Sequence, residues 1–366
     1  MPGTDRLIDL VDERIGRFLE TRESIVLSIA PEIGPLASFS RQFLSGGKRF
    51  RALFCYWGYE SVEGARDRRE SERLDAVIGT ASALELFHAA ALVHDDIIDR
   101  SDLRRGAPSA HRRFESLHRE HGWDGRAEDF GDGAAILLGD LLLGYSDDLL
   151  AEALADGVDA ARAVGVRREF GRMRAEVIAG QYLDILEERS WRAGAEDDHL
   201  SRAERVIVYK SAKYSVQAPL LLGGLLAGGT LGQLDALREF GLPLGIAFQL
   251  RDDLLGVFGD ATVTGKPSGD DLREGKRTVL IALARRSLPS SARRVLDELL
   301  GDPELDDDQI RMLQNTITSS GATAEVERMI ALNVERASHA LDDAPLADVA
   351  VNRLRELTRS VSDRVA

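Results

Sequence analysis

The sequence predicts an all-α protein of ten or more helices in one domain, and three observations predict it. Leu, Ala, Arg and Glu abound while aromatic residues make up 6%, a mix of good helix formers. Runs rich in Val, Ile, Thr and Tyr, the signature of strands, are almost absent; VIVYK (206–210) and VERMI (326–330) are short and sit inside helical patterns. Apolar residues recur at helical spacing along the chain, and no break in composition divides its 366 residues.

Taken in order, a first amphipathic helix spans 5–29, with Leu7, Leu10, Val11, Ile15, Phe18 and Leu19 at helical spacing and Pro31 and Pro35 closing it. A second follows the GGKRFR segment and holds Leu53, Phe54 and Trp57, while 61–72 reads as a charged loop. From about Leu74 to Asp99 runs a long helix. Residues 119–133 (REHGWDGRAEDFGDG) read as a Gly/Asp-rich connection, with helices resuming over 134–156 and 165–188. Beyond the polar loop 189–200, Ser201 is the expected cap of the next helix, with Glu204 completing a capping box. That helix starts near Arg202 and carries Lys210 and Lys213. Another covers 232–258, and 277–366 holds several amphipathic helices with short connections.

Composition narrows the function. With 44% apolar residues the chain can build a substantial core. A formal net charge of −15 argues against general nucleic-acid binding, which needs a basic face. The single cysteine, Cys55, excludes an internal disulfide framework and reads as a small buried hydrophobe in a reducing compartment. The amino terminus carries acids early and no apolar signal core, and the run Ala218–Gly229 is too short and glycine-rich to span a bilayer. A soluble, cytoplasmic protein with no stable membrane anchor is expected.

Two acidic clusters stand 157 residues apart, each ending an apolar helical run. The first is Asp95, Asp96 and Asp99 in LVHDDIIDRSDLRRG; the second is Asp252 and Asp253 in FQLRDDLLGVFGD. Asp95 and Asp99, four residues apart, share one face of a helix. Magnesium usually takes one or two carboxylates and completes its shell with phosphate oxygens and water, which such a pair suits. One DDxxD alone would read more readily as a solvated helix end, and Asp102 reads as structural or second in line to the metal. Cations in short, ordered groups change the balance: Lys48, Arg49 and Arg51 in GGKRFR, Arg104 and Arg105 after the first cluster, Lys210 beside Ser211, and Lys266 and Lys276 flanking Asp270 and Asp271. Arginine forks suit phosphate. Gln249 precedes the second cluster, and His88 lies seven residues before Asp95 on nearly the same face. No glycine-rich segment has P-loop spacing.

Together and in this chain order, GGKRFR, DDIIDRSDLRRG, YKS, FQLRDD, TGK and GKRT closely resemble the trans-isoprenyl diphosphate synthase family, over about Gly46 to Thr278. The resemblance, most like the bacterial-type geranylgeranyl diphosphate synthases, implies a single bundle of mostly antiparallel helices around a central apolar cavity. There an allylic diphosphate would condense with isopentenyl diphosphate. Carried over by motif, Asp95, Asp99 and Asp252 would bind Mg2+ (three ions with substrate present), supported by Asp96 and Asp253. Arg104, Lys210, Ser211, Gln249, Lys266 and Lys276 would contact the allylic diphosphate, and Lys48, Arg51, His88 and Arg105 would hold isopentenyl diphosphate. A homodimer is implied as well.

This chain departs from the family pattern at Gly256, where the second motif would carry its last acid. Asp260 is a candidate substitute, although Gly259 is expected to end the helix first. Below the first motif, Ala90 and Ala91 leave room, Phe87 one turn deeper is the expected floor, and Leu84 lies beyond it. A helical turn of about 5.4 Å roughly matches one isoprene unit, so geranylgeranyl diphosphate is the expected product, with farnesyl or five-unit and longer products as alternatives. A terpene cyclase or squalene-synthase-like protein would share helices and acidic motifs but would not need GGKRFR. A catalytically silent partner subunit would be expected to lose motif residues, and alanine at Asp95 and Asp99 would leave its modulating effect intact.

Overall fold

A computed structural model describes residues 4–44, 46–64, 70–259 and 268–362. It is all-helical apart from one two-residue hairpin, as the composition predicts. The helices are α1 (Thr4–Leu27), α2 (Gly34–Leu44), α3 (Phe50–Glu63), α4 (Glu70–Ile98), α5 (Ala110–His121), α6 (Ala127–Ala153), α7 (Ala160–Ser190), α8 (His199–Val206), α9 (Ala218–Leu226), α10 (Leu231–Phe258), α11 (Asp270–Glu274), α12 (Val279–Ser287), α13 (Ser290–Leu299), α14 (Asp307–Ser319), α15 (Ala322–Ala340) and α16 (Asp348–Ser362). Between α8 and α9 the chain stays helical but widens into a π-helix over Ile207–Gln217. Strands β1 (Leu103–Arg104) and β2 (Ala107–Pro108) pair antiparallel.

One contiguous hydrophobic cluster reaches from Leu7 to Leu354. At its centre lies α4, apolar on nearly every face, which packs chiefly on α6, while α3 packs on α9 and α10 on α15 and the π segment. Leu84 and Leu86 on α4 are fully buried, each such side chain contributing about 2 kcal/mol of transfer free energy. A segment within this helix, 74–98, is long and apolar enough to cross a membrane, yet 83% of its qualifying 18-residue window is buried inside the protein. That stretch, rather than Ala218–Gly229, is the most membrane-like part of the described chain.

Three local expectations are corrected. Pro35 does not close α1; it sits in the first turn of α2, where its missing N–H costs nothing. The 119–133 connection shrinks to residues 122–126, because α6 already begins at Ala127 with Glu128 and Asp129 in its first turn. Acids are favoured there by the helix dipole, and Ala127, Gly131 and Ala135 form a buried stripe on the same helix, which packs on α5. Ser201 is no cap. A 3-10 turn over Glu196–Asp198 feeds directly into α8, so Ser201 is already helical and its hydroxyl donates back to the Asp198 carbonyl at 2.9 Å. Elsewhere the agreement is close: α10 ends at Phe258 with Gly259 as its cap.

Candidate active site

Helices α4, α7 and α10 and the π segment enclose a cavity of about 840 Å³. Its upper part is charged and its lower part apolar. Asp95 and Arg104, Lys210 and Ser211, Gln249, Asp252 and Asp253, and Lys276 all line it, although they come from five separate segments. Lower down lie Phe87, Ala90, Ala91, Val177 and Ile207. Leu84 is fully buried and outside the lining.

The acids and cations interlock. Lys276 Nζ donates to Asp99 Oδ2 at 2.5 Å and lies 3.3 Å from Glu274. Lys210 Nζ donates to Asp184 and lies 3.4 Å from Asp95 Oδ1. Burial opposes the charge on Asp95, but Lys210, Lys276 and Arg104 outweigh it and hold that carboxyl well below the usual range. Burial pushes Asp99 up against the pull of Lys276. Asp96 is 0% exposed and accepts from both Nε and Nη2 of Arg104, the Nε contact being 2.9 Å. It therefore anchors the arginine from below. The Arg104 guanidinium is in turn 3.8 Å from Asp95.

Local backbone explains how these groups arrive. Arg104 ends β1, and the turn that follows places Arg105 at φ 54° and Gly106 at φ 73°. Two successive left-handed residues make the tight hairpin turn, a strained conformation for an arginine. Lys210 reaches Asp184 because Gly180, one turn before Asp184 on α7, leaves no side chain between the helices; a Cβ there would overlap the backbone of Tyr209 and Lys210. The π-helical turns then present Lys210, Ser211, Tyr214 and Ser215 to the cavity.

A second basic group lies beside the first. Arg51 Nη2 donates to Ser215 Oγ at 2.8 Å, and its guanidinium stands 4.3 Å from the Tyr214 ring centre. His88 Nδ1 is 2.8 Å from the Tyr214 hydroxyl. Burial, then Arg51, Arg105 and Arg104, keep His88 well below its usual pKa and hence neutral. Lys48 is exposed, and Arg105 packs beside Gly47 with a 3.4 Å contact to the Gly46 carbonyl; neither lines the cavity. Of the GGKRFR cations, Arg49 turns inward instead, pairing with Asp12 at 2.7 Å and Glu85 at 3.3 Å.

On the second cluster, Gln249 Nε2 donates to Asp253 Oδ1 at 2.8 Å. Burial, with Asp271 and Asp252 adding to it against the Gln249 bond, pushes Asp253 up to about 8. Its Oδ2 is buried with no hydrogen bond among the described residues. At Gly256 the Asp271 carboxylate lies directly against the helix, so that a Cβ would overlap it. The missing acid of the motif is thus faced by one from α11. Lys266 and Asp260 lie outside the described residues.

Among those residues no three acid, histidine or cysteine side chains converge into a ready metal cage. An all-oxygen set of separated carboxylates that includes a buried, unbonded oxygen suits magnesium, which draws the rest of its shell from phosphate and water. Sequence reasoning missed Asp184, Gln181 and Tyr214, all of which line the cavity. Asp184 and Gln181 carried a usable signal, being polar residues inside the apolar run VIAGQYLDIL.

The polyprenyl synthetase family model matches residues 35–317. The chain is 30% identical over 313 residues to the geranylfarnesyl diphosphate synthase of Aeropyrum pernix, covering 86% of this chain and 88% of that enzyme. It is 31% identical over 313 residues to the nonaprenyl diphosphate synthase of Mycobacterium tuberculosis, covering 85% and 81%. The crystal structure of geranylgeranyl pyrophosphate synthase from Corynebacterium glutamicum, complexed with isoprenyl diphosphate and magnesium, superposes with a TM-score of 0.93 at 38% identity over 100% of both chains. Relatives this similar differ in product length, so length has to be argued from the cavity.

Proposed function

This chain belongs to the polyprenyl synthetase family, and we propose that it makes geranylgeranyl diphosphate, adding isopentenyl diphosphate to an allylic diphosphate of up to three units. It is a prenyltransferase that joins isoprenoid units head to tail. The observation that carries the product length is Phe87 in the cavity lining, with Ala90 and Ala91 above it. Phe87 lies eight residues before Asp95, about 12 Å along the helix. With its first unit level with the carboxylates, a three-unit tail ends at the Phe87 ring, and a four-unit tail no longer fits for another round.

Asp95, Asp99 and Asp252 would hold Mg2+, with Asp96, Asp253 and Asp271 behind them. Bound there, magnesium supplies positive charge against the departing diphosphate. Lys210 and Lys276 offer the same diphosphate their ammonium groups, and Arg104, braced by Asp96, offers a fork of donors. Ser211 and Gln249 complete that side, and Lys266 is assigned to the same diphosphate by its motif alone. Arg51 and His88 hold isopentenyl diphosphate, and Lys48 and Arg105, which stand outside the cavity lining, are assigned to it by their motifs. Its double bond attacks the allylic carbon as the C–O bond breaks, and the released diphosphate takes the proton. The apolar lower wall keeps water from the cation, which would otherwise yield an alcohol.

We read residues 1–366 as one domain acting in the cytoplasm. Two copies are expected to pair through α6 and α7, where Leu137, Ile178 and Tyr182 are 63%, 62% and 64% exposed, Ile178 and Tyr182 bordering the cavity as well. The test incubates purified protein with Mg2+, isopentenyl diphosphate and each of dimethylallyl, geranyl and farnesyl diphosphate, then sizes the dephosphorylated products. A dominant four-unit alcohol is expected from all three starters. A three-unit or five-unit alcohol would refute Phe87 as the floor, and no condensation from folded, metal-loaded protein would point to the silent-subunit reading.

A further inference from the structure

We propose that Tyr214 is a positioning residue for His88: its hydroxyl donates to Nδ1, so that the imidazole carries its one N–H at Nε2 and presents it to isopentenyl diphosphate. The inference rests on the reading of His88 as a contact of that substrate. Tyr214 is buried among the three parts of the site, with its oxygen 2.8 Å from His88 Nδ1, its ring under Arg51 at 4.3 Å and its edge against Phe87 at 5.7 Å between centroids.

Which way the shared proton points follows from the neighbours. A guanidinium has only donors to offer, so Arg51 can give nothing to the phenol proton. Among the described residues, His88 Nδ1 is the acceptor within reach of that proton. If Nδ1 carried the hydrogen instead, the buried phenol O–H would have no acceptor, an arrangement folded proteins avoid. Burial and the surrounding arginines keep the ring neutral, and a neutral imidazole has one N–H, located by the bond its other nitrogen makes. The ring lines the cavity, and Nε2 makes no hydrogen bond among the described residues. Diphosphate oxygens only accept. The Nε2–H form therefore binds them, whereas the other tautomer would turn a lone pair toward them.

The full-length enzyme carrying Tyr214→Phe tests this, since phenylalanine keeps the ring against Phe87 and beneath Arg51 and removes only the oxygen. KM for isopentenyl diphosphate should rise about 3- to 10-fold, the loss of one oriented hydrogen bond. KM for the allylic substrate and kcat should each change less than about twofold. In protein labelled with 15N-histidine, with the His88 ring assigned by His88→Gln, wild type should show the Nε2–H pattern and Tyr214→Phe a mixture of tautomers. Within the His88→Gln background, Tyr214→Phe should add nothing. An unchanged isopentenyl KM with an unchanged 15N pattern would overturn the proposal. So would an equal KM rise in the His88→Gln background, because the phenol would then act elsewhere. Should His88→Gln itself leave the isopentenyl KM untouched, the substrate-site reading falls, while the 15N pattern still decides the tautomer.

Discussion

Phe87→Ala is expected to lengthen the product by one isoprene unit. The ring is 3% exposed and stands edge-on to Phe170 at 6.1 Å and Tyr214 at 5.7 Å between centroids. Those two aromatics hold it in place. Removing it opens the cavity down α4 to Leu84, three residues or about 4.5 Å deeper, nearly the length of one unit. Leu84 is itself fully buried, so a second added unit would meet packed core. Truncating a buried phenylalanine costs about 3–5 kcal/mol; the lower figure applies, because one face of this ring already borders a cavity. The variant should therefore fold, with a lowered unfolding midpoint. Sizing the dephosphorylated products by reversed-phase chromatography would give a five-unit alcohol in place of the four-unit one. An unchanged product from a variant with wild-type circular dichroism would refute the reasoning and move the floor to another helix.

Four further outcomes are expected. Asp96→Asn leaves the part-buried Arg104 without its carboxylate; denaturant unfolding should register a loss of about 3–5 kcal/mol, and a loss below about 1 kcal/mol would mean that Asp95, at 3.8 Å, takes over. Burial, with Asp184 and Asp99 beside it, raises Glu188 from 4.5 to about 7. Between those values the folded state holds a proton that the unfolded state has lost, so this group makes stability fall as pH rises through that window. Glu188→Gln should flatten that fall in thermal melts, and parallel pH profiles would contradict it. Gly256→Ala should push the Asp271 carboxylate off α10 and raise the Mg2+ concentration for half-maximal rate several-fold, with Asp271→Asn acting in the same direction; if neither variant alters Mg2+ dependence, Asp271 stands outside the ion's surroundings. Tyr182→Glu, at an exposed apolar position of α7, should give monomers in light scattering, whereas an unchanged mass would place the interface elsewhere.

Much of this protein is local information. Leu7, Val11, Ile15 and Phe18 already mark one face of α1, and the apolar run before Asp95 marks α4, because helical periodicity is written in neighbouring residues. The chemistry is local too: DDIID, YKS and GKRT name the acids and cations whichever way the helices pack. What those charges do to one another is not local. Nothing in GGKRFR says that Arg49 turns into the core toward Glu85 while Arg51 lines the cavity; that division depends on where α1 and α4 pass. Asp96 and Asp95 are adjacent in sequence, yet one is sealed beneath Arg104 and the other opens to the cavity, since consecutive residues leave a helix about 100° apart. Periodicity also could not place the π turns, nor the close approach to α7 that Gly180 permits there. Nor could it place the Asp271 carboxylate over Gly256, because that contact joins α10 to α11 across a connecting segment. The sequence by itself determined the helices and the inventory of reactive groups. Pairing, burial and the depth of the cavity were decided by tertiary packing, because a side chain's charge state and reach depend on what stands beside it in space.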